Sequence, residues 1–188
     1  MRIYRSGSLV VLLTGILCIV ISSKANAQNK EEFDNLIFFI PQGLSIIKST
    51  TSMKLTDAAG EEFSITINKS SFSLKKMEKS LPVYWKESLA MDGFDDSIAG
   101  PQFVRFKNNG GWDCFRGGKL ISYSAQTAPQ YYHLTVVRYL GITTRIITKA
   151  NSEEQFMKKM AVLMELISSI EFKKPQQNSP GNTGISNQ

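Results

Sequence analysis

Apolar and polar residues change their spacing several times along the chain, and each change marks a different element. Asn35–Ile40 is an apolar run closed by Pro41-Gln42-Gly43, which reads as a strand entering a turn. Met53–Asp57 and Glu62–Asn68 follow. In the second of these, Phe63, Ile65 and Ile67 alternate with Glu62, Ser64 and Thr66, the period of a half-buried strand. Ala58-Ala59-Gly60 between them predicts a hairpin connection. From about Ser73 to Met91 the period lengthens to that of a helix. Leu81, Trp85 and Leu89 recur every four residues there and predict one buried face. Ser80 ahead of Leu81-Pro82 reads as the helix start, because proline is tolerated in a first turn that has no use for its missing N–H.

Strand spacing returns in the second half. Gln102–Lys107 alternates Phe103, Arg105 and Lys107 against Val104 and Phe106, and Asn108-Asn109-Gly110-Gly111 reads as a turn. Gly117-Gly118 predicts a second turn, between Trp112–Arg116 and Lys119–Ser124. Gln126–Gln130 then connects to Tyr131–Leu140, and Gly141 punctuates before Thr143–Thr148. Five strands in succession with short turns predict an antiparallel meander. Ser152 with Gln155 three residues on forms a capping box, and Glu153 and Glu154 suit the positive end of a helix. Phe156, Met160, Leu163, Met164 and Ile167 fall at helical spacing behind it, the methionines as core filler. Ile170-Glu171-Phe172 resumes a short strand. Strand-rich stretches framed by two helical ones predict an α+β domain, its central and mainly antiparallel sheet covered by helices.

The two ends read differently. Arg2 and Arg5 precede an apolar run, Leu9–Ile21, and small residues then end in Ala25-Asn26-Ala27. That order is a Sec signal peptide over residues 1–27, with cleavage near Ala27 and a mature chain beginning near Gln28. The run falls short of the roughly 20 apolar residues that span a bilayer, which argues against an anchor in the mature chain. Leu17 before Cys18 argues against a lipidated cysteine. Beyond residue 174, Pro, Gln, Asn, Ser and Gly dominate, so 175–188 reads as a disordered tail and 28–174 as one domain.

Composition narrows the function classes. With 42% hydrophobic and 20% charged residues, a disordered or fibrous chain is excluded. Once Arg2, Arg5 and Lys24 leave with the signal, 19 basic residues face 16 acidic ones, too mild and too dispersed a surplus for nucleic acid. Cys114 is then the only cysteine, so no internal disulfide forms. It reads as a small buried hydrophobe or as an exposed, reactive thiol. No cofactor is expected. G-x-G-x-x-G is absent, and Gly118-Lys119-Leu120 fails the last position of G-K-[ST]. Arg116-Gly117-Gly118-Lys119 suits a hairpin turn better than an anion cradle. Asp92, Asp95 and Asp96 miss calcium-loop spacing and read as a solvated loop. One histidine and one mature cysteine are too few for zinc.

Phe38-Phe39-Ile40-Pro41-Gln42-Gly43-Leu44 resembles the opening strand and P-x-G turn of the PsbP-like superfamily, which includes the DcrB-like envelope proteins. Ser152-Glu153-Glu154-Gln155-Phe156 and Ser169-Ile170-Glu171-Phe172 are similar to that superfamily's closing helix and strand. Gly111-Trp112 resembles a Gly-Trp of secreted bacterial members of unknown function. The resemblance spans about Asn35–Phe172 and implies an α/β/α sandwich, accessory and mostly non-catalytic roles, and no shared catalytic residue.

Two functions from different classes follow. The favoured one is a secreted or periplasmic module that binds an envelope protein or small ligand through the sheet rim. Trp112, Arg116, Tyr131 and His133 are its contact candidates, because aromatics and arginine dominate binding hot spots. The alternative is a small thiol-dependent hydrolase in which His133 activates Cys114. Solvent access of Cys114 separates the two.

Overall fold

The computed structural model describes residues 29–57, 62–122 and 128–173. The expected signal peptide, the Ala58-Ala59-Gly60 turn, part of the Gln126–Gln130 connection and the expected tail lie outside those residues. In chain order the elements are β1 (Lys30–Phe33), β2 (Leu36–Phe39), β3 (Leu44–Lys48), β4 (Ser52–Asp57), β5 (Phe63–Asn68), β6 (Ser71–Phe72), α1 (Met77–Met91), β7 (Val104–Lys107), β8 (Asp113–Ile121), β9 (Gln130–Tyr139), β10 (Ile142–Ala150), α2 (Glu153–Ser169) and β11 (Glu171–Phe172).

The main sheet runs β3-β4-β5-β10-β9-β8-β7, with β6 also pairing to β10, and a small sheet runs β1-β2-β11. Every described pairing is antiparallel. Successive side chains of a strand point to opposite faces, and β9 shows the consequence. Tyr132, Leu134 and Val136 join Leu81, Trp85 and Leu89 of α1 in one core. Val137 joins Phe156, Leu163, Leu166 and Ile167 of α2 in the other, with Tyr131 packed against it. The helices therefore cover opposite faces of the sheet, and the layers are α/β/α. The small sheet belongs to the α2 side, where Phe33, Leu36, Phe38 and Phe172 complete the core.

The α1 side is held by aromatic edges. Trp85 meets Tyr132 edge-on with ring centroids 5.5 Å apart, and its indole N–H donates to the Ile98 carbonyl at 3.0 Å. Phe94 meets the same tyrosine at 5.5 Å. The Tyr132 hydroxyl lies 2.8 Å from the Ser88 carbonyl and 2.9 Å from the Asp92 carboxylate, which also pairs with Lys149 at 2.8 Å. The expected solvated knot is thus partly structural. Asp92 ties the end of α1 to the sheet, and Asp95 accepts from the Ser97 N–H at 2.8 Å.

The helix at the C-terminal end forms as its pattern predicts. Ser152 caps α2, its side chain accepting from the Gln155 N–H at 3.1 Å. Gln155 Oε1 reaches back to the Asn151 N–H at 3.0 Å, one residue ahead of the usual box partner.

Three expectations are corrected. The first helix does not start at Ser80: α1 begins at Met77 after Lys76, and Pro82 lies inside it. Proline costs Glu78 its helical hydrogen-bond partner, but Glu78 and Pro82 are both exposed, so water can reach that carbonyl. Ser80, by contrast, donates its hydroxyl to the Lys76 carbonyl at 3.2 Å. Gly117-Gly118 is not a turn. Strand β8 runs straight through it, Gly117 opposite Leu134 and Gly118 opposite His133, so the meander has four strands, β7 to β10. The glycines serve close approach instead. A Cβ on Gly117 would sit 2.8 Å from the Gln102 carbonyl oxygen and 2.9 Å from Pro101, and one on Gly118 would strike the Tyr131 ring. The third correction adds strands: β1, β3 and the short β6 form where no strand was expected.

Backbone on one side of Gly117 cannot yield cheaply, and overpacking of this kind typically costs about 1–3 kcal/mol. Gly117→Ala is therefore expected to lower the urea midpoint by a corresponding amount. An unchanged midpoint would show that the 101–103 segment is free to move away.

Candidate functional site

Where the C-terminal end of α2 meets the small sheet, an open cleft of about 760 Å³ forms. Its floor is a cluster of three rings. Trp112 lies 5.0 Å from Phe172 and 5.3 Å from Tyr139, and Tyr139 lies 5.4 Å from Phe172, all between centroids. Glu165 and Glu171 bring two carboxylates to the lining, and no lysine or arginine lines it among the described residues.

Asn108 sets this geometry. It is 7% exposed, and its side-chain oxygen accepts from the Trp112 N–H at 3.0 Å, which closes the β7–β8 turn. Its side-chain amide donates towards the Ile167 and Ile170 carbonyls at 3.4 and 3.3 Å. Carbonyls at a helix C-terminus lack partners within the helix, so one asparagine both satisfies the end of α2 and fixes the tryptophan beside it. On the opposite wall, Ser169 Oγ accepts from the Phe39 N–H at 3.0 Å and donates to the Leu166 carbonyl at 2.8 Å. The walls are pinned by hydrogen bonds, and Trp112 and Tyr139 stay half-exposed over the buried Phe172.

The four contact candidates are not gathered in one place. Trp112 lines the cleft; Arg116, Tyr131 and His133 are not among its lining residues. Those three lie beneath α2. Tyr131 and His133 stack against Phe156 at 4.7 and 4.6 Å. The Arg116 guanidinium lies over the Phe106 ring at 5.6 Å and within 3.3 Å of the Met160 and Met164 sulfurs. The methionines thus seat a cation as well as fill the core. His133 is 3% exposed, and burial, reinforced by the Arg116 charge, pushes its pKa down to about 3. Its Nδ1, with Thr135 Oγ1 and Thr148 Oγ1, is buried without a hydrogen-bond partner among the described residues. Burial also raises the Tyr131 phenol, helped by the Glu153 charge.

Sequence reasoning missed Asn108, Tyr139 and Phe172 as members of the site. Tyr139 shares a face with Val137 by strand alternation, which was available in advance. The meeting of β11 with the β7–β8 turn was not, because it depends on how two sheets dock.

No protein-family model and no curated protein sequence matches the chain. Solved structures do. The Ran-binding protein Mog1p of Saccharomyces cerevisiae is similar over 77% of this chain and 96% of its own, at 10% identity and a TM-score of 0.51. Cyanobacterial PsbP (CyanoP) from Synechocystis is similar over 77% and 91%, at 11% identity and a TM-score of 0.51. The chain has the PsbP-like fold. LpqN of Mycobacterium tuberculosis, described as involved in cell envelope biogenesis, covers 74% of this chain and 83% of its own, at 13% identity and a TM-score of 0.47. At such identities the likeness concerns architecture alone. Among the described residues, no helix is long and apolar enough to cross a membrane.

Within the PsbP-like sheet, Cys114 and His133 are not partners. Cys114 pairs in register with Val137, and His133 with Gly118, four positions further along β8. At about 3.3 Å per residue that is roughly 13 Å, far beyond proton transfer. Cys114 is fully buried, its thiol contacts the Trp112 carbonyl at 3.7 Å, and burial pushes its pKa up to about 11. The thiolate is the reactive form, and at pH 8 it would be about one part in a thousand of this thiol. A thiol reagent at pH 8 is expected to leave Cys114 of the native protein unmodified over hours and to label it at once in denaturant. Rapid labelling of the native protein would restore the reactive-thiol reading.

Proposed function

We propose that this protein is an exported, non-catalytic binding module, and that its ligand seat is the cleft of Trp112, Tyr139 and Phe172. The observation that carries the reading is the cleft itself: Trp112 and Tyr139 half-buried over Phe172, on walls pinned by Asn108 and Ser169, with the Glu171 carboxylate in the lining and no basic residue there among the described ones. Pre-ordered rings offer contact area at little entropic cost, and aromatic anchors carry most binding energy in interfaces. The Glu171 carboxylate beside them favours a ligand that brings positive charge. The seat therefore suits an apolar or aromatic side chain of a partner with Lys or Arg next to it. Arg116, Tyr131 and His133, first picked as contacts, serve this reading as support, holding α2 on the sheet through Phe156 and the methionines. The Ran-binding description of Mog1p, a neighbour of the same fold, agrees with a binding role. The n-region, apolar run and Ala25-Asn26-Ala27 support export to the periplasm or beyond.

The test uses protein recovered from the cell envelope or medium, whose intact mass is expected to place its first residue at or near Gln28. It is titrated with short peptides carrying Trp or Leu flanked by Arg, and with the same peptides flanked by Glu. Saturable binding of the basic set is expected, weakened at least tenfold by Trp112→Ala in a variant that still shows the wild-type far-UV circular dichroism. Equal binding of both sets, or binding indifferent to Trp112, would contradict the seat, and a mass retaining Met1 would contradict export.

A further inference from the structure

At the tip of the β9–β10 hairpin, three large apolar side chains stand in solvent: Phe72 is 68% exposed, Leu74 83% and Leu140 72%. They are neighbours. Phe72 pairs with Ile142, its ring lies so close over Gly141 that an added Cβ would be 2.7 Å from it, and the Ser73 N–H donates to the Gly141 carbonyl at 2.9 Å. Leu74 follows two residues on. The backbone that presents them is tied down, since the Arg138 guanidinium donates to the Ser73 and Lys75 carbonyls, both at 2.7 Å.

Leu140 is the most telling of the three. It begins a two-residue turn in which both φ values are positive, 46° for Leu140 and 83° for Gly141. Asn or Gly takes that first position without strain, and a branched apolar residue does not. Since Leu140 packs into no core, the fold gains nothing from it. Strain kept at an exposed position points to a function outside the fold.

Charge around the apolar tip is predominantly basic, although the Asp34 carboxylate accepts from the Ser70 N–H beside Lys69 at 2.9 Å and Asp113 shares a cleft with Lys76. Lys69, Lys75, Lys76 and Lys79 are exposed, none takes part in an ion pair among the described residues, and Glu78 is the only acid between Lys69 and Lys79. We propose that this tip docks the protein on an anionic lipid surface, the apolar side chains entering the interface and the lysines lying over the headgroups. Protruding, singly exposed side chains lack the concave walls that grip a protein segment, and they suit a soft medium that closes around them. Each lysine near an anionic leaflet contributes roughly fivefold in partitioning. Tyr139 of the cleft is the residue before Leu140, so docking here sets the proposed ligand seat beside the lipid.

The experiment is co-sedimentation of the exported protein with vesicles of equal phosphatidylglycerol and phosphatidylcholine, and with phosphatidylcholine alone. The protein is expected to partition onto the anionic vesicles only, and less so as salt rises. Lys75→Glu with Lys76→Glu should reduce partitioning at least tenfold, and Leu74→Ser about tenfold. Leu140→Asn should reduce it while leaving the melting temperature equal or higher, because it relieves the turn; a purely structural role for Leu140 would lower the melting temperature instead. No preference for anionic vesicles, or wild-type partitioning by all three variants, would overturn the proposal. So would capture of the protein by polyglutamate through the same lysines without vesicle binding, which would assign the tip to an acidic protein.

Discussion

The structure depends on β9 being buried on both faces. The flanking strands also feed both cores, β8 through Cys114 and Phe115 and β10 through Ile146 and Ile147, but β9 gives three side chains to each helix. β9 gives Tyr132, Leu134 and Val136 to α1, and Tyr131, His133 and Val137 to α2. A slip of one residue would exchange the two sets at once, placing His133 and Thr135 among the rings around Trp85. Register across the sheet is therefore specified from two sides. The neighbouring strands inherit it: β8 and β10 flank β9 along nearly their whole lengths.

Two-sided burial also explains where the open surfaces lie. A helix that packs along the middle of a sheet ends before the sheet does. At the end of α2 the small sheet and the β7–β8 turn close most of the gap, and Asn108 bonds the helix carbonyls that the sheet cannot reach. What remains is the cleft over Trp112, Tyr139 and Phe172. Just past Tyr139, the β9–β10 turn is covered by the 71–75 segment, and Leu140, Phe72 and Leu74 stay exposed.

Much of the architecture was legible because burial writes a period into the sequence. The Leu81, Trp85, Leu89 stripe and the Ser152 cap with Phe156, Leu163 and Ile167 behind it correspond to the two helices, and the alternation of Glu62–Asn68 corresponds to β5. The misreadings have physical reasons. Gly117-Gly118 has the composition of a turn, but the glycines answer to neighbours, Gln102 and Tyr131, that are distant in sequence. β3 escaped notice because it is an edge strand with Ile46 and Ile47 both exposed, so no face imposes a period on it. Pro82 looked like a first-turn residue because local rules favour it there, and the buried face of α1 outweighed the hydrogen bond it costs. The site was less legible than the fold. Trp112 was singled out by residue type, whereas its partners Tyr139 and Phe172 and its anchor Asn108 meet it only through the docking of two sheets and a helix end.

Hydrogen exchange under native conditions measures directly whether β9 is the element on which the rest depends. The amides of Tyr132–Val137 are expected to exchange only through global unfolding, with an opening free energy equal to that from urea denaturation, while those of β3 exchange through much smaller openings. If the β9 amides exchanged through openings as small as those of β3, the two-sided clamp would not be what holds the domain together.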